Sequence, residues 1–242
     1  PAFYEQDADE VGIGGNYQFN DNINLAAGYL ADSSLGGTSG ADGPADGVFN
    51  SNFAGMAQLT GTVGNFEGAL AFIHEYQNST SDGFDLYDGV GTFLTTERTP
   101  INTGTAETVG VSMKYEFSPR FILSAFASHT WANEKDNKGT LVVEGADARA
   151  YSAGIGFVLP DLFREGNTGG IAIGVPPTVY DTDGLIAPNA GVKDGDTPLA
   201  IDLFYDFKVS DNITITPGGI ILFNGNGGNA PGTATPNGTD DT

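Results

Sequence analysis

Apolar and polar residues alternate at every second position over long stretches of this chain. Between residues 108 and 117 one series is apolar, with Val109, Val111, Met113, Tyr115 and Phe117, and the other is mostly polar, with Thr108, Gly110, Ser112, Lys114 and Glu116. Strict alternation predicts a β-strand with one apolar and one polar face. The turn Ser118-Pro119-Arg120 then precedes a second run rich in aromatic and aliphatic residues.

The same pattern recurs along the chain and predicts about ten strands of membrane-barrel length. Their predicted ranges are 11–19, 23–30, 53–63, 66–76, 106–117, 121–132, 147–159, 170–175, 199–209 and 213–223. Asn, Asp, Gly and Pro residues occupy the short connections, as tight hairpins require. The longer polar connections, at 31–47, 77–105, 133–146, 176–198 and from 224 onward, alternate with these short turns.

This alternation of turn and loop length is typical of an outer-membrane barrel, which has short periplasmic turns and long extracellular loops. A soluble β-sandwich, with the apolar face in its core, is the alternative fold. Mid-strand charges such as Asp202 and Asp206 favour the barrel, because a water-filled lumen accepts them. Aromatic residues recur near strand ends, as interfacial girdles require: they are Tyr17, Phe19, Tyr76, Tyr115, Phe117, Phe121, Trp131, Phe207 and Phe223.

Composition narrows the function. With 9 Lys and Arg against 31 Asp and Glu, the formal net charge is -22, which argues against a nucleic-acid partner. No apolar run approaches the roughly 20 residues of a membrane helix. Cys is absent, and His74 and His129 each lie alone within a predicted strand. No catalytic signature, phosphate loop or zinc spacing appears, so we expect neither an enzyme nor a bound cofactor.

Acidic loop motifs are the remaining candidates for metal chemistry. Residues 134–145 depart from a calcium loop, because Lys138 and Gly145 fall where ligands are needed. The motifs "DTDG" at 181–184 and "DGDT" at 194–197 offer carboxylates to a hard cation, but a solvated acidic loop is the more ordinary interpretation. We therefore predict no metal site.

Four segments, taken in order, resemble one family. They are "INLAAGYLA", "GVFNSNFAGMAQL", "SAGIGFVLPDLFREGNTGGIAIGVPP" and "PLAIDLFYDFKVSDNITITPGGIILF". In them the chain is similar to cyanobacterial outer-membrane porins of the carbohydrate-selective (OprB-like) and iron-uptake group. The last segment places Thr216-Pro217-Gly218 within a strand, where Pro usually marks a bulge or an edge.

The resemblance implies a homotrimer of roughly 16-stranded barrels in the cyanobacterial outer membrane, in contact with lipid and lipopolysaccharide. It also implies a periplasmic S-layer-homology segment at the N-terminus. We therefore expect residues 1–242 to be the C-terminal portion of such a barrel, without that segment, the first strands and the closing strand.

The expected function is passive diffusion of small hydrophilic solutes and inorganic ions, iron among them, through a water-filled pore. A non-conducting surface or envelope-anchoring protein is the alternative. Charged residues predicted to line the pore are Asp202, Asp206, Lys208, Lys114, Glu116, Glu67 and Glu75. Because carboxylates lining a narrow pore favour cations, we expect a modest cation preference that fades at high salt.

Overall fold

Eleven strands and one helical turn make up the regular structure of the described residues. The computed structural model describes residues 11–31, 52–78, 86–87, 91–96, 103–135, 142–185 and 193–227. The strands are β1 (Val11–Asn20), β2 (Ile23–Ala31), β3 (Phe53–Val63), β4 (Phe66–Asn78), β5 (Thr103–Ser118), β6 (Phe121–Glu134), β7 (Val142–Pro160), β8 (Thr168–Leu185), β9 (Leu199–Ser210), β10 (Ile213–Ile215) and β11 (Gly218–Phe223). The helical turn α1 covers Phe93–Thr96. Within the described ranges, no helix combines the length and the apolarity that crossing a bilayer requires.

All strands belong to one antiparallel sheet whose spatial order follows the chain. Each strand from β1 to β9 pairs with the next, and β10 and β11 both pair with β9. In the described part of the chain, β1 and the β10–β11 arm form two edges that are not joined to each other. A sandwich needs a second sheet to cover the apolar face, so the single sheet favours the barrel wall over the sandwich alternative.

Short turns connect neighbouring strands at one end of the sheet, called here the turn end. Gly64 in the β3–β4 turn has a φ of +59°, a left-handed conformation that glycine adopts without strain. In the β1–β2 turn the Asn22 amide donates to the Asn20 side-chain oxygen over 2.8 Å, an Asx-type contact that fixes the reversal. The opposite end, which carries the long connections, is called the loop end.

The sheet has two chemically different faces, because residues paired across strands lie on the same side. The apolar face carries Val111 and Met113 of β5 and their cross-strand neighbours, among them Leu70 and Ala125. Large hydrophobic side chains remain exposed on it, including Leu70 at 53% and Val111 at 49%. The polar face carries Ser112, Lys114 and Glu116 of β5 and their cross-strand neighbours.

Aromatic side chains border the apolar face at both ends. Near the turn end, rings of Tyr115, Phe117, Phe121 and Phe157 follow one another at centroid distances of 4.6 to 5.8 Å. Near the loop end, the rings of Tyr29 and Tyr76 each stack on Phe53, at 5.5 and 5.7 Å.

The spacing of these two belts matches a bilayer. Phe121 and Trp131 lie ten positions apart on β6, which is about 34 Å along a strand. Because membrane strands are tilted by roughly 40°, this length corresponds to a height of about 26 Å along the membrane normal. That height is close to that of the apolar band of outer-membrane barrels. The apolar face therefore has the height that a lipid bilayer requires.

The structure confirms the predicted strands and extends several of them. Strands β7 and β8 reach far into ranges predicted as loops, because the 178–185 part of β8 pairs with residues between 142 and 151 of β7 despite shifts in register. The last predicted strand is interrupted at Thr216-Pro217, as its proline suggested, and forms β10 and β11. Much of the predicted long loops, at 32–51, 79–85, 88–90, 97–102, 136–141, 186–192 and 228–242, lies outside the described residues.

Candidate functional site

The polar face carries the charged residues that the sequence analysis selected. On β4 and β5, Glu67 pairs directly across the strands with Lys114. The Lys114 Nζ lies 2.9 Å from Glu116 Oε1, two positions further along the same strand. One cation is thus set between two carboxylates, and each of these carboxylates has a cation beside it.

Strand β9 places Asp202, Asp206 and Lys208 on the same face by alternation. Asp206 accepts a 2.7 Å hydrogen bond from the Thr216 hydroxyl, which is a neutral partner. Lys208 Nζ lies 3.0 Å from the Asp211 carboxylate at the turn end. Among the described residues, Asp202 makes no side-chain hydrogen bond or ion pair. Negative charge on β9 is therefore less compensated than on β4 and β5.

Glu75 lies on the predicted face but in a different environment from the one expected. It is 1% exposed, and the Gln77 amide donates to its carboxylate. Tyr87, in a long connection, lies near enough to interact with its charge, so this carboxylate does not face open space as a pore-lining group would. The alternation placed it on the correct face, but it gave no information about what lies above that face.

The residues of this connection form a feature that the sequence analysis missed. We call residues 86–87 and 91–96, which include α1, the inner segment. Its Leu86, Tyr87 and Leu94 pack on strand positions of the polar face that are mostly alanine: Ala71, Ile73, Ala106, Ala132, Ala148, Ala150 and Val179. Small side chains leave space for the segment, and each large apolar side chain that it buries contributes about 1.5–3 kcal/mol.

Hydroxyl groups fix the inner segment to the sheet. The Tyr87 hydroxyl lies 2.7 Å from Thr130 Oγ1, which lies 2.7 Å from Thr108 Oγ1 on the neighbouring strand. Burial raises the pKa of the Tyr87 phenol above its ordinary value, so this group stays a neutral hydrogen-bonding partner. The chain of hydroxyls joins the segment to β5 and β6.

A buried carboxylate makes a second attachment near the loop end. Asp194, 8% exposed, accepts 2.7 Å hydrogen bonds from the Thr92 hydroxyl and the Val179 amide. The Thr92 amide also donates to the Pro177 carbonyl over 3.0 Å. The inner segment, β8 and the residues before β9 are therefore tied together. Sequence could not reveal this contact, since Thr92 and Asp194 are 102 positions apart.

A cleft of about 470 Å³ lies on the polar face beside the inner segment. Small residues of β7 and β8 form its floor, and Phe126, Ser124 and Asp202 lie at its sides. We call it the floor cleft. It combines open space with one aromatic ring, hydroxyl groups and a carboxylate.

The remaining polar candidates lie apart from this cleft. His74 pairs with Glu107 at 3.2 Å, and His129 Nε2 lies 2.6 Å from the Tyr180 hydroxyl, both at the loop-end border of the apolar face. Asp181, in the first acidic motif, belongs to β8 and accepts from Arg149 over 3.1 Å. The first acidic motif is therefore part of a strand and not the solvated loop we expected. In the second motif Asp194 is buried, whereas Asp196 is exposed in a loop, as expected. In the described ranges, no three His, Cys, Asp or Glu side chains are grouped to hold a metal ion.

A single antiparallel sheet with an apolar face between two aromatic belts, and a polar face opposite, defines the wall of a membrane β-barrel. The chain belongs to the family of carbohydrate-selective porins, the OprB family, whose model matches residues 3–239. This is a family of outer-membrane channels, not of enzymes.

Two cyanobacterial relatives support this assignment. An uncharacterised protein of Nostoc sp. (strain PCC 7120 / SAG 25.82 / UTEX 2576) is 31% identical over 209 residues, which cover 83% of this chain and 32% of the relative. An uncharacterised protein of Synechocystis sp. (strain ATCC 27184 / PCC 6803 / Kazusa) is 27% identical over 226 residues, 88% of this chain and 39% of the relative. The chain thus spans less than half the length of either relative.

Proposed function

We propose that this chain forms part of the wall of an outer-membrane pore through which small hydrophilic solutes, including carbohydrates and inorganic ions, diffuse passively. One observation carries the proposal: ionised and hydroxyl side chains collect on the face opposite the lipid-compatible one. A water-filled lumen hydrates such groups, whereas hydrocarbon does not. The inner segment supports the proposal as well, because a segment held against the polar face would lie in the lumen and narrow it.

The direct test is conductance of the intact, full-length protein in a planar lipid bilayer. We expect stepwise current increases in KCl as single pores insert. Correctly folded protein that inserts and carries no current would contradict the proposal. It would favour the alternative, a non-conducting surface or envelope-anchoring protein.

We also propose that the described sheet is one part of a larger barrel. Its two edges, β1 and the β10–β11 arm, are not paired with each other in the described residues. Open edges expose unpaired backbone groups, which a bilayer does not tolerate. Further strands would satisfy these edges and close the wall, which fits a chain matching 32% and 39% of its two relatives.

Assembly and iron transport are finer proposals that rest on the family. We propose that the full-length protein is a homotrimer. The test is the mass of the detergent-solubilised full-length protein, corrected for bound detergent, and a monomeric mass would contradict the proposal.

Inorganic iron is proposed to pass as one of several small ions. Normal uptake of inorganic iron at limiting supply by cells lacking the protein would remove iron from its solutes.

A further inference from the structure

The turn between β7 and β8 is longer than the other turns at the turn end. The β1–β2, β3–β4, β5–β6 and β9–β10 turns have two residues each, whereas the seven residues 161–167 separate β7 from β8. We call these residues the long turn. Its Phe163 side chain is 90% exposed, more than any other large apolar side chain in the described part of the chain. The fold thus leaves this ring uncovered.

The backbone of the long turn holds this ring in a strained position. Phe163 has a φ of +63°, in the left-handed region that residues with a Cβ atom disfavour. Such strain persists where the surrounding structure fixes the backbone. Here Asn167 is 1% exposed; its side-chain amide donates to the Tyr205 hydroxyl over 2.8 Å, and its side-chain oxygen accepts from the Lys208 amide over 3.0 Å. The Tyr205 hydroxyl also donates to the Leu162 carbonyl over 3.0 Å, so the long turn is attached to β9.

The long turn folds over the apolar face of the sheet. Leu162 packs over Gly169, where a Cβ atom would meet the leucine side chain. Gly169 pairs in register with Leu159. Leu159 lies two positions beyond Phe157 of the turn-end belt and therefore on the same face. The long turn thus begins on the side of the sheet that faces lipid.

Phe163 and Arg164 extend the turn-end belt. The centroid of the Phe163 ring lies 6.2 Å from that of Tyr205, which pairs with Gly169 on the apolar face. The Arg164 guanidinium lies 6.0 Å from the centre of the Phe207 ring, a distance at which a cation is attracted to an aromatic ring. Aromatic and basic side chains combined in this way are typical of the membrane interface.

Arg164 carries a charge without a carboxylate partner among the described residues. Its side chain is exposed. A guanidinium group matches the geometry of a phosphate and binds it through paired N–H donors. The neighbouring Phe163 ring is uncovered in water, whereas acyl chains would remove it from water. The two side chains together fit a molecule that has both an anionic headgroup and acyl chains.

We propose that the long turn binds an anionic phospholipid of the periplasmic leaflet, with Phe163 inserted between the acyl chains and Arg164 paired with the phosphate. The turn end is periplasmic because outer-membrane barrels have short periplasmic turns. Burial of the Phe163 ring in the bilayer then offsets the strain in its backbone. The inference depends on the apolar face meeting lipid and not on conduction, so a barrel that carries no current would leave it standing.

The test measures tryptophan fluorescence of the full-length protein in nanodiscs of phosphatidylcholine that contain increasing fractions of a brominated lipid. Phe163→Trp places the reporter in the long turn, and the wild-type signal is subtracted. Brominated phosphatidylglycerol should reach half-quenching at a fraction about 2- to 5-fold lower than brominated phosphatidylcholine, the preference that one cation near an anionic lipid provides. Arg164→Gln, added to Phe163→Trp, should make the two lipids equal.

Arg120→Gln, added to Phe163→Trp, is the matched control. Arg120 is exposed in the β5–β6 turn at the same end of the sheet and forms no ion pair among the described residues. Its removal should leave the lipid preference in the long turn unchanged. Equal quenching by the two lipids while Arg164 is present would overturn the proposal, as would the absence of quenching.

Labelling of Phe163→Cys by a charged thiol reagent supplies a second readout, which decides the matter if Phe163→Trp fails to fold. In nanodiscs that contain phosphatidylglycerol, the cysteine should stay unlabelled until the protein is denatured. Rapid labelling would place the long turn in water. Protection that is lost when the oligomer dissociates in the same lipid would place a second copy of the chain over it. Either result would overturn the lipid site.

Discussion

Single residues on the polar face differ in how far their charges are neutralised. Lys114 lies between Glu67 and Glu116, and Lys208 contacts Asp211. The carboxylate of Asp202 has no cation beside it in the described residues, and that of Asp206 has only a threonine hydroxyl. Field lines concentrate in a narrow aqueous pore with low-dielectric walls. The two aspartates of β9 are therefore open carboxylates of this face that have no cation beside them among the described residues.

We predict that Asp202→Asn combined with Asp206→Asn lowers cation selectivity. Reversal potentials in a KCl gradient should show a modest cation preference in the wild type and a smaller one in the double variant. The difference should fade near 1 M salt, where the Debye length falls to about 3 Å.

Glu107→Gln is the control for this prediction. Glu107 carries the same charge type but lies on the opposite face, paired with His74, so its removal should leave the reversal potential unchanged. An anion-selective wild-type pore, or a double variant with unchanged selectivity, would show that the β9 carboxylates do not determine the ion selectivity of the pore.

At the scale of elements, the inner segment is held by contacts that can be removed one at a time. Tyr87→Phe deletes the hydroxyl that meets Thr130 and should weaken docking by about 1 kcal/mol. That change raises the undocked fraction about fivefold. Tyr87→Ala also removes a buried ring and should release the segment more completely.

We predict that release of the segment widens the lumen. Single-channel conductance should increase in Tyr87→Ala and show more frequent transient increases in Tyr87→Phe. Tyr76→Phe, which alters a ring on the apolar face, should have no such effect. Unchanged conductance in Tyr87→Ala, measured on folded protein, would show that the segment does not lie in the conduction path.

The aromatic belt at the loop end predicts that Trp131, on the apolar face, lies at the membrane interface. Trp131 is the one tryptophan of this sequence; it is 42% exposed, and its ring centroid lies 4.1 Å from that of His129, with the two rings tilted by 46°. Its interfacial position predicts stronger fluorescence quenching by lipids brominated near the headgroup than by lipids brominated near the chain ends. Subtracting the signal of Trp131→Phe isolates this residue in the full-length protein. Stronger quenching by the deep label, or no quenching by either, would contradict the belt.

Local pattern predicted the strands well because alternation and turn residues are properties of neighbouring positions. It failed at 176–185, where Pro176, Pro177 and the acidic motif are typical of a loop. The β8 strand nevertheless continues there, because register shifts opposite Arg149 and Tyr151 take up the extra residues.

The candidate site, too, could be predicted from local pattern only in part. Alternation alone correctly placed Asp202 and Glu67 on the same face of the sheet. The burial of Glu75 and the docking of Tyr87 depend on contacts between distant parts of the chain, such as Tyr87 with Thr130, and no local pattern records them.

At the scale of the whole molecule, a pore requires that the apolar face meets lipid and the polar face meets water. Strand β5 offers both environments at adjacent positions, and the sequence contains no cysteine. Single cysteines can therefore be introduced along this strand and its neighbour without background from this part of the protein.

Accessibility of such cysteines to a charged, membrane-impermeant thiol reagent is the most direct measurement. In the full-length protein in lipid, Ser112→Cys and Ser124→Cys should react and reduce the KCl current. Val111→Cys, Met113→Cys and Ala125→Cys should remain unlabelled until the protein is denatured. Labelling of the apolar-face cysteines in the folded protein, with protection of the polar-face ones, would contradict the account.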